Sequence, residues 1–217
     1  GTATALNGTA VTGGTETWIA GNVFQQDGTT VDAGRRTSAL LPFTITEGEI
    51  YELTVSMTVA GETNHFLGFG FADNVSFTGG TQNDANGFRF AGTAVVGYGW
   101  MFAAPGPAGA LSAFDGGSVA NPADLGGATA PNSPTLKIVL DASDAVNWTT
   151  SYYVNDSLVA SGSQPKAFFA NVDSVGLTVG NATGSFSNFQ LQTIPEPGTA
   201  TLLGVMGAAL LIRRRRI

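Results

Sequence analysis

The stretch Glu47-Gly48-Glu49-Ile50-Tyr51-Glu52 places three carboxylates within six residues. Paired carboxylates are the apparatus of glycoside hydrolysis, one acting as acid and the other as base or nucleophile across the scissile bond. In extended backbone the side chains alternate between faces, so Glu47 and Glu49 share one face and Glu52 takes the other. Glu47-Gly48 also reads as the turn entering a strand. The expectation is a turn followed by a wetted strand face, without an acid–base pair. His65 is the single histidine. A nucleophilic triad or a zinc centre needs several converging partners, so His65 is expected at a strand edge. There is no cysteine, which excludes disulfides, thiolate metal sites and cysteine nucleophiles. No GxSxG, HExxH, P-loop or dinucleotide fingerprint occurs. The glycines of Val96-Gly97-Tyr98-Gly99-Trp100 belong to a strand or turn, since no helix follows to hold a phosphate. The sequence therefore reads as a non-enzyme, with no catalytic residue and no resident cofactor.

Two binding chemistries remain. Hard cations take six to eight oxygens from Asp, Asn and carbonyl groups in loops. Such groups gather at Asp73-Asn74, from Gln82 to Asn86, and at Asp115. Asp and Asn also populate turns for local reasons. No metal site is assigned, and Asp73, Asp84 and Asn86 stand as the calcium candidates. Carbohydrate binding asks for an exposed aromatic beside polar groups. Phe88, Arg89, Tyr98 and Trp100 form one set, and Trp148, Tyr152 and Tyr153 another. Trp148, Tyr152 and Val154 fall on one strand face and are expected in the core.

The elements that would position these groups are strands. In Glu49–Ala60, Tyr51, Leu53, Val55, Met57 and Val59 alternate with Glu52, Thr54, Ser56 and Thr58, the period of a half-buried strand. Further strands are predicted at Thr17–Phe24, Ala39–Ile45, His65–Phe71, Gly87–Ala91, Val95–Ala103, Thr135–Asp141, Asn147–Asn155, Ser157–Ser161, Ser174–Gly180 and Thr183–Thr193. A long Gly/Pro/Ala-rich loop is predicted over Ala104–Pro134. No helix is predicted before the last two dozen residues and no repeat period is visible. A closed barrel and a two-sheet sandwich are the all-β solutions available, and strands joined by long loops suit a jelly-roll sandwich better than a tight up-and-down barrel.

Charge divides the 217 residues into two parts. Residues 1–194 hold five basic residues against fifteen acidic ones, a balance of −10, whereas the tail holds Arg213, Arg214, Arg215 and Arg216 against Glu196. So acidic a body repels nucleic acid phosphates, and none is expected as a partner. The sequence opens on Gly1 rather than Met, and a removed signal peptide is the expectation. Pro195 and Pro197 fix their φ angles and remove two backbone donors, so Pro195-Glu196-Pro197 is predicted to be stiff and extended. The uncharged run from Gly198 to Ile212 is about 22 Å of helix at 1.5 Å per residue, short for a bilayer core of about 30 Å. It ends on the four arginines, which can snorkel and mark a cytoplasmic side.

This order of Pro-Glu-Pro, short apolar helix and terminal Arg cluster, from Ile194 to Ile217, resembles the PEP-CTERM sorting signal of Gram-negative bacteria. The resemblance implies recognition by an exosortase-type membrane peptidase, transient anchoring in the inner membrane, cleavage near Pro195–Pro197, and release or attachment at the cell surface. It also implies association with extracellular polysaccharide and biofilm matrix.

The body, from LPFTITEGEIYELTVSMTV through FLGFGFAD and TLKIVLDASDAVNWTTSYYVNDSLVASG to VGLTVGNATGSFSNFQLQ, resembles concanavalin A-like (laminin G-like) jelly rolls. That resemblance implies a YYVND hairpin with its turn in solvent and a last strand returning beside the first. The expected organisation is a β-sandwich ectodomain over 1–193 and a sorting and anchoring segment, with one short transmembrane helix, over 194–217. The expected role is structural or adhesive in an exopolysaccharide matrix. A lectin-like module, calcium-assisted or not, is the alternative, and a polysaccharide hydrolase the third reading.

Overall fold

The computed structural model describes residues 6, 8–10, 15–20, 36–60, 66–73, 96–103, 111–114, 122–124, 134–180 and 183–195. Within them the strands are β1 (Ile19–Ala20), β2 (Arg36–Pro42), β3 (Ile50–Ala60), β4 (Phe66–Asp73), β5 (Val96–Ala103), β6 (Leu111–Phe114), β7 (Pro122–Asp124), β8 (Thr135–Asp141), β9 (Asn147–Val154), β10 (Ser157–Pro165), β11 (Ser174–Gly180) and β12 (Thr183–Ile194). One sheet has the order β1-β2-β11-β4-β5-β6-β7 and the other β10-β9-β8-β3-β12. Every pairing is antiparallel. The chain passes between sheets from β2 to β3, β3 to β4, β7 to β8, β10 to β11, and β11 to β12. The protein is thus an all-β two-sheet sandwich.

Alternation explains which face of each strand is inside. On β3, Tyr51, Leu53, Val55 and Met57 are buried while Glu52, Thr54 and Ser56 are half-exposed. On β8, Leu136, Ile138 and Leu140 are buried, and on β9, Trp148, Thr150 and Tyr152. Facing them from the seven-stranded sheet are Leu67, Phe69 and Phe71 of β4, Tyr98 and Met101 of β5, and Val175, Leu177 and Val179 of β11. An aromatic seam crosses the interior. Phe43 meets Tyr51 edge-on at 5.1 Å and Phe71 at 5.7 Å. Tyr98 meets Phe168 at 5.2 Å, Phe168 meets Phe169 at 5.3 Å, and Phe169 meets Trp148 at 5.5 Å. Such offset and edge contacts add about 0.5–1.5 kcal/mol each beyond the area they bury.

Three irregularities tune the registers. Asn188 (φ 54°) and Phe189 of β12 stand opposite Val55 alone, a bulge that keeps Phe186 and Leu191 in line with Met57 and Leu53. A second bulge lies between Leu158 and Ala160 of β10. In β5 the extra residue is Gly99, at φ 66°. A β-carbon there would lie 2.9 Å from Cγ2 of Thr150, so only glycine fits both the backbone and the space. The β9–β10 hairpin turns through Asn155 (φ 48°) and Asp156 (φ 64°), both left-handed, as a two-residue turn matching strand twist requires.

Several expectations are corrected. The stretch predicted as a loop over Ala104–Pro134 contains β6 and β7. The strand expected over Ala39–Ile45 begins earlier and stops at Pro42. β10 runs on to Pro165, and a 3-10 turn (Lys166–Phe169) follows it. The closing strand β12 pairs with β3, on the sheet that does not contain β1. Among the described residues no helix is long and apolar enough to cross a membrane. The segment predicted to do so, 198–212, lies outside them, as do the predicted strand 87–91 and residues 21–24.

Gly99→Ala is expected to cost more than about 1 kcal/mol through strain at positive φ. Gly176→Ala is expected to cost up to about 3 kcal/mol, because its β-carbon would collide with the Ala39 carbonyl oxygen of the adjacent strand. Ser161→Ala, on exposed β10, should stay within about 0.5 kcal/mol. Urea melts of the three variants check the order.

Candidate functional site

The two sheets turn different outer faces away from the core. On the seven-stranded sheet, the part of that face formed by β11 and β4 carries small residues, and the buried Leu40 of β2 lies beside Gly176. Ser174, Gly176 and Thr178 of β11 align with Ala72, Gly70 and Gly68 of β4, and Ser38 of β2 donates to the Thr178 hydroxyl at 3.3 Å. Ser38, Ser174 and Thr178 are fully buried.

The outer face of the five-stranded sheet is polar and wet. Register brings Gln192, Glu52, Val139, Ser151 and Ser161 into one row across five strands, and Gln190, Thr54, Lys137, Tyr153 and Leu158 into the next. Hydrogen bonds then run across the face. The Gln190 amide donates to Gln192 Oε1 at 3.2 Å, and the Gln192 amide donates to Glu52 Oε1 at 2.9 Å. Glu52 Oε2 lies 3.6 Å from Lys137 Nζ, which donates to Asp156 Oδ1 at 2.9 Å. Lys137 Nζ stands 4.9 Å from the centroid of the half-buried Tyr153 ring, and Leu158 alongside is 58% exposed. Amides, two carboxylates and an ammonium flank an apolar spot of ring and leucine. That combination can receive both the C–H face and the hydroxyl rim of a sugar. The hydrogen bond that the Lys137 ammonium donates to Asp156, aided by the charge of Glu52, holds it above its ordinary pKa against partial desolvation.

The carboxylates weighed for hydrolysis are not gathered. Glu47 is exposed in the turn before β3 and pairs with Lys166, Glu49 is half-buried, and Glu52 belongs to the outer row. Tyr98, Trp148 and Tyr152 are in the core, and Tyr153 alone of its set reaches the surface. Asp73 ends β4, its side chain outside the described residues. Asp84, Asn86, His65, Phe88, Arg89 and Asp115 lie outside them altogether, as do Glu196, Pro197 and Arg213–Arg216. Among the described residues no group of three or more His, Cys, Asp or Glu side chains could hold a metal ion. Sequence reading missed Gln190, Gln192 and Lys137. Their only signal was the polar half of each alternating strand.

No protein-family model matches the chain, and no curated protein matches it. Among solved structures, alginate lyase Aly36B aligns at a TM-score of 0.44 with 10% identity, over 81% of this chain and 86% of that one. The carbohydrate recognition domain of Emp47p aligns at 0.44 with 16% identity, over 82% and 87%. A seed lectin of Lotus tetragonolobus aligns at 0.42 with 13% identity, over 88% and 98%. At these scores the likeness carries nothing about activity, and the fold rests on the strand order itself.

Because the folded state raises the Lys137 pKa, the stability it adds is fully present below the unfolded lysine value of about 10.4. It is lost as pH climbs through the higher folded value. Asp156→Asn keeps a residue that tolerates positive φ and removes the charge. Its destabilisation, below about 1 kcal/mol for so exposed a pair, should be constant from neutral pH to about pH 10 and shrink above it. Paired denaturation curves across that range check the sign.

Proposed function

We propose that the chain is an exported bacterial protein of the cell surface or extracellular matrix, sorted by an exosortase-type membrane peptidase, with a structural or adhesive role on exopolysaccharide. In this reading the body is a concanavalin A-like jelly roll. Residues 194–217 are the sorting and anchoring segment, with 198–212 spanning the inner membrane and Arg213–Arg216 on the cytoplasmic side. The observation that carries the reading is the junction at Ile194. The last strand of the sandwich ends there, and Pro195, the first residue of Pro195-Glu196-Pro197, is exposed directly after it. The fold is closed before the motif begins, which supports a motif available to another protein. No catalysis is assigned in this reading; Glu47 and Glu52 each face a lysine.

A lectin-like action is the second reading, favoured by the Gln190–Gln192–Glu52–Lys137–Tyr153 face. It describes how the adhesive role would be carried out, with a polysaccharide lying across the wetted rows.

Replacing Pro195-Glu196-Pro197 by three alanines is expected to leave an uncleaved precursor in the membrane fraction of the host, read by intact mass. Normal processing and release of that variant would sink the sorting reading. In affinity gels cast with the host's exopolysaccharide, Lys137→Gln with Tyr153→Ala is expected to weaken retardation by roughly tenfold, the loss of one hydrogen bond to a charged group. Unchanged mobility would remove the sheet face from the reading.

A further inference from the structure

A cleft of about 380 Å³ opens at the end of the sandwich, away from the two polar rows. Its volume is at the small end of the range of about 300–1,000 Å³ typical of ligand sites. The floor is apolar, formed by Ile45, Trp148, Phe169 and Val172. The rim carries two charges, Glu47 from the turn before β3 and Lys166 from the 3-10 turn, and these pair with each other.

The cleft is built of fixed parts. The Trp148 indole N–H donates to the Asp144 carbonyl at 3.1 Å. The Asp144 carboxylate in turn accepts the backbone N–H groups of Asn147 at 2.8 Å and Val146 at 2.7 Å, which hold it below its ordinary pKa. Gly48 N–H bonds to the Ala142 carbonyl at 3.0 Å and Lys166 N–H to the Val146 carbonyl at 2.9 Å. Both rim turns are thereby tied to the same β8–β9 connection.

We infer that this cleft binds a single neutral pyranose ring, as a site separate from the sheet face. The chemistry selects that class. An ionised carboxylate only accepts and an ammonium only donates. Hydroxyl groups do both, so a pair of neighbouring hydroxyls satisfies Glu47 and Lys166 together while the C–H face rests on the floor. An anionic ligand meets a lysine already neutralised by Glu47, on a body whose balance over residues 1–194 is −10. A cation meets a carboxylate already held by Lys166. The ring class follows from the polysaccharide reading and rests on it, but the cleft uses none of the residues of the sheet face.

The test titrates the isotope-labelled full chain, in a detergent without a sugar head group, with methyl α-glucopyranoside, methyl α-mannopyranoside and methyl β-galactopyranoside. D-Glucuronate serves as the acidic comparison. The signal is the Trp148 indole resonance, assigned by Trp148→Phe among the three tryptophans. At least one neutral glycoside is expected to shift it saturably. Lys166→Gln and Glu47→Gln are each expected to weaken binding about tenfold. Ala170→Leu, at an exposed position on the cleft wall, is expected to abolish it by filling the space. Lys137→Gln with Tyr153→Ala should leave it unchanged. No shift with any neutral glycoside, tighter binding of glucuronate, or full affinity in Ala170→Leu would each overturn the inference. If polysaccharide retardation persists while the cleft fails these tests, the sheet-face reading stands without it. If the glycoside shift persists while retardation is absent, the cleft stands and the sheet face falls.

Discussion

The aromatic seam between the sheets is the constraint on which the rest of the molecule depends. With no cysteine in the chain, no disulfide joins the two layers. Phe43, Tyr51 and Phe71 join them near the start of β3, and Tyr98, Phe168, Phe169 and Trp148 join them near the start of β9. The seam also decides what the surface can offer. Because Trp148 and Tyr152 are spent on the interior, Tyr153 is the ring left for the outer face. Because Phe169 packs on Trp148, the turn that carries Lys166 is pinned close to the one that carries Glu47.

The two outer faces show how composition is converted into surface character. On β4 and β11 of the seven-stranded sheet, glycine, alanine, serine and threonine leave little side chain above the backbone, the buried Leu40 of β2 lies beside Gly176, and hydroxyls bond to their neighbours: Ser38 to Thr178, Ser174 to the Ala72 carbonyl. On the five-stranded sheet the corresponding positions carry Glu, Lys, Gln and Tyr. An alternating strand with one apolar face can present either surface. The choice lies wholly in its other half of residues.

Strands with strong alternation were legible from the chain alone: β3, β8 and β9 were placed to within a residue or two. β4, β5, β11 and β12 were placed as closely, whereas β6, β7 and the full length of β10 were not. β6 and β7 are short, sit toward one edge of their sheet and lie among Gly, Pro and Ala, so no period accumulates over them. β10 also lies at an edge, and SLVASGSQP alternates too weakly to reveal its full length. The apolar run LLPFTI drew the predicted β2 past Pro42, where a single further bond, from Phe43 N–H to the Asp173 carbonyl at 2.9 Å, follows the last pair with β11. The polar rows were illegible for a different reason. They need cross-strand register, and each bulge shifts register by one residue in a way local sequence does not announce. Nothing in the spacing of Glu47 and Lys166 says that they meet. Their encounter is made by the seam.

The position of β12 has a mechanical consequence. It is an edge strand, paired with β3 at ten positions from Thr183–Ala60 to Ile194–Ile50, and the tail leaves directly from its end. A force transmitted through the tail along the strand axis acts on all of these pairs at once, in shear. A force perpendicular to it peels them apart one after another, beginning at Ile194. The same sandwich therefore resists a pull along β12 far better than one across it.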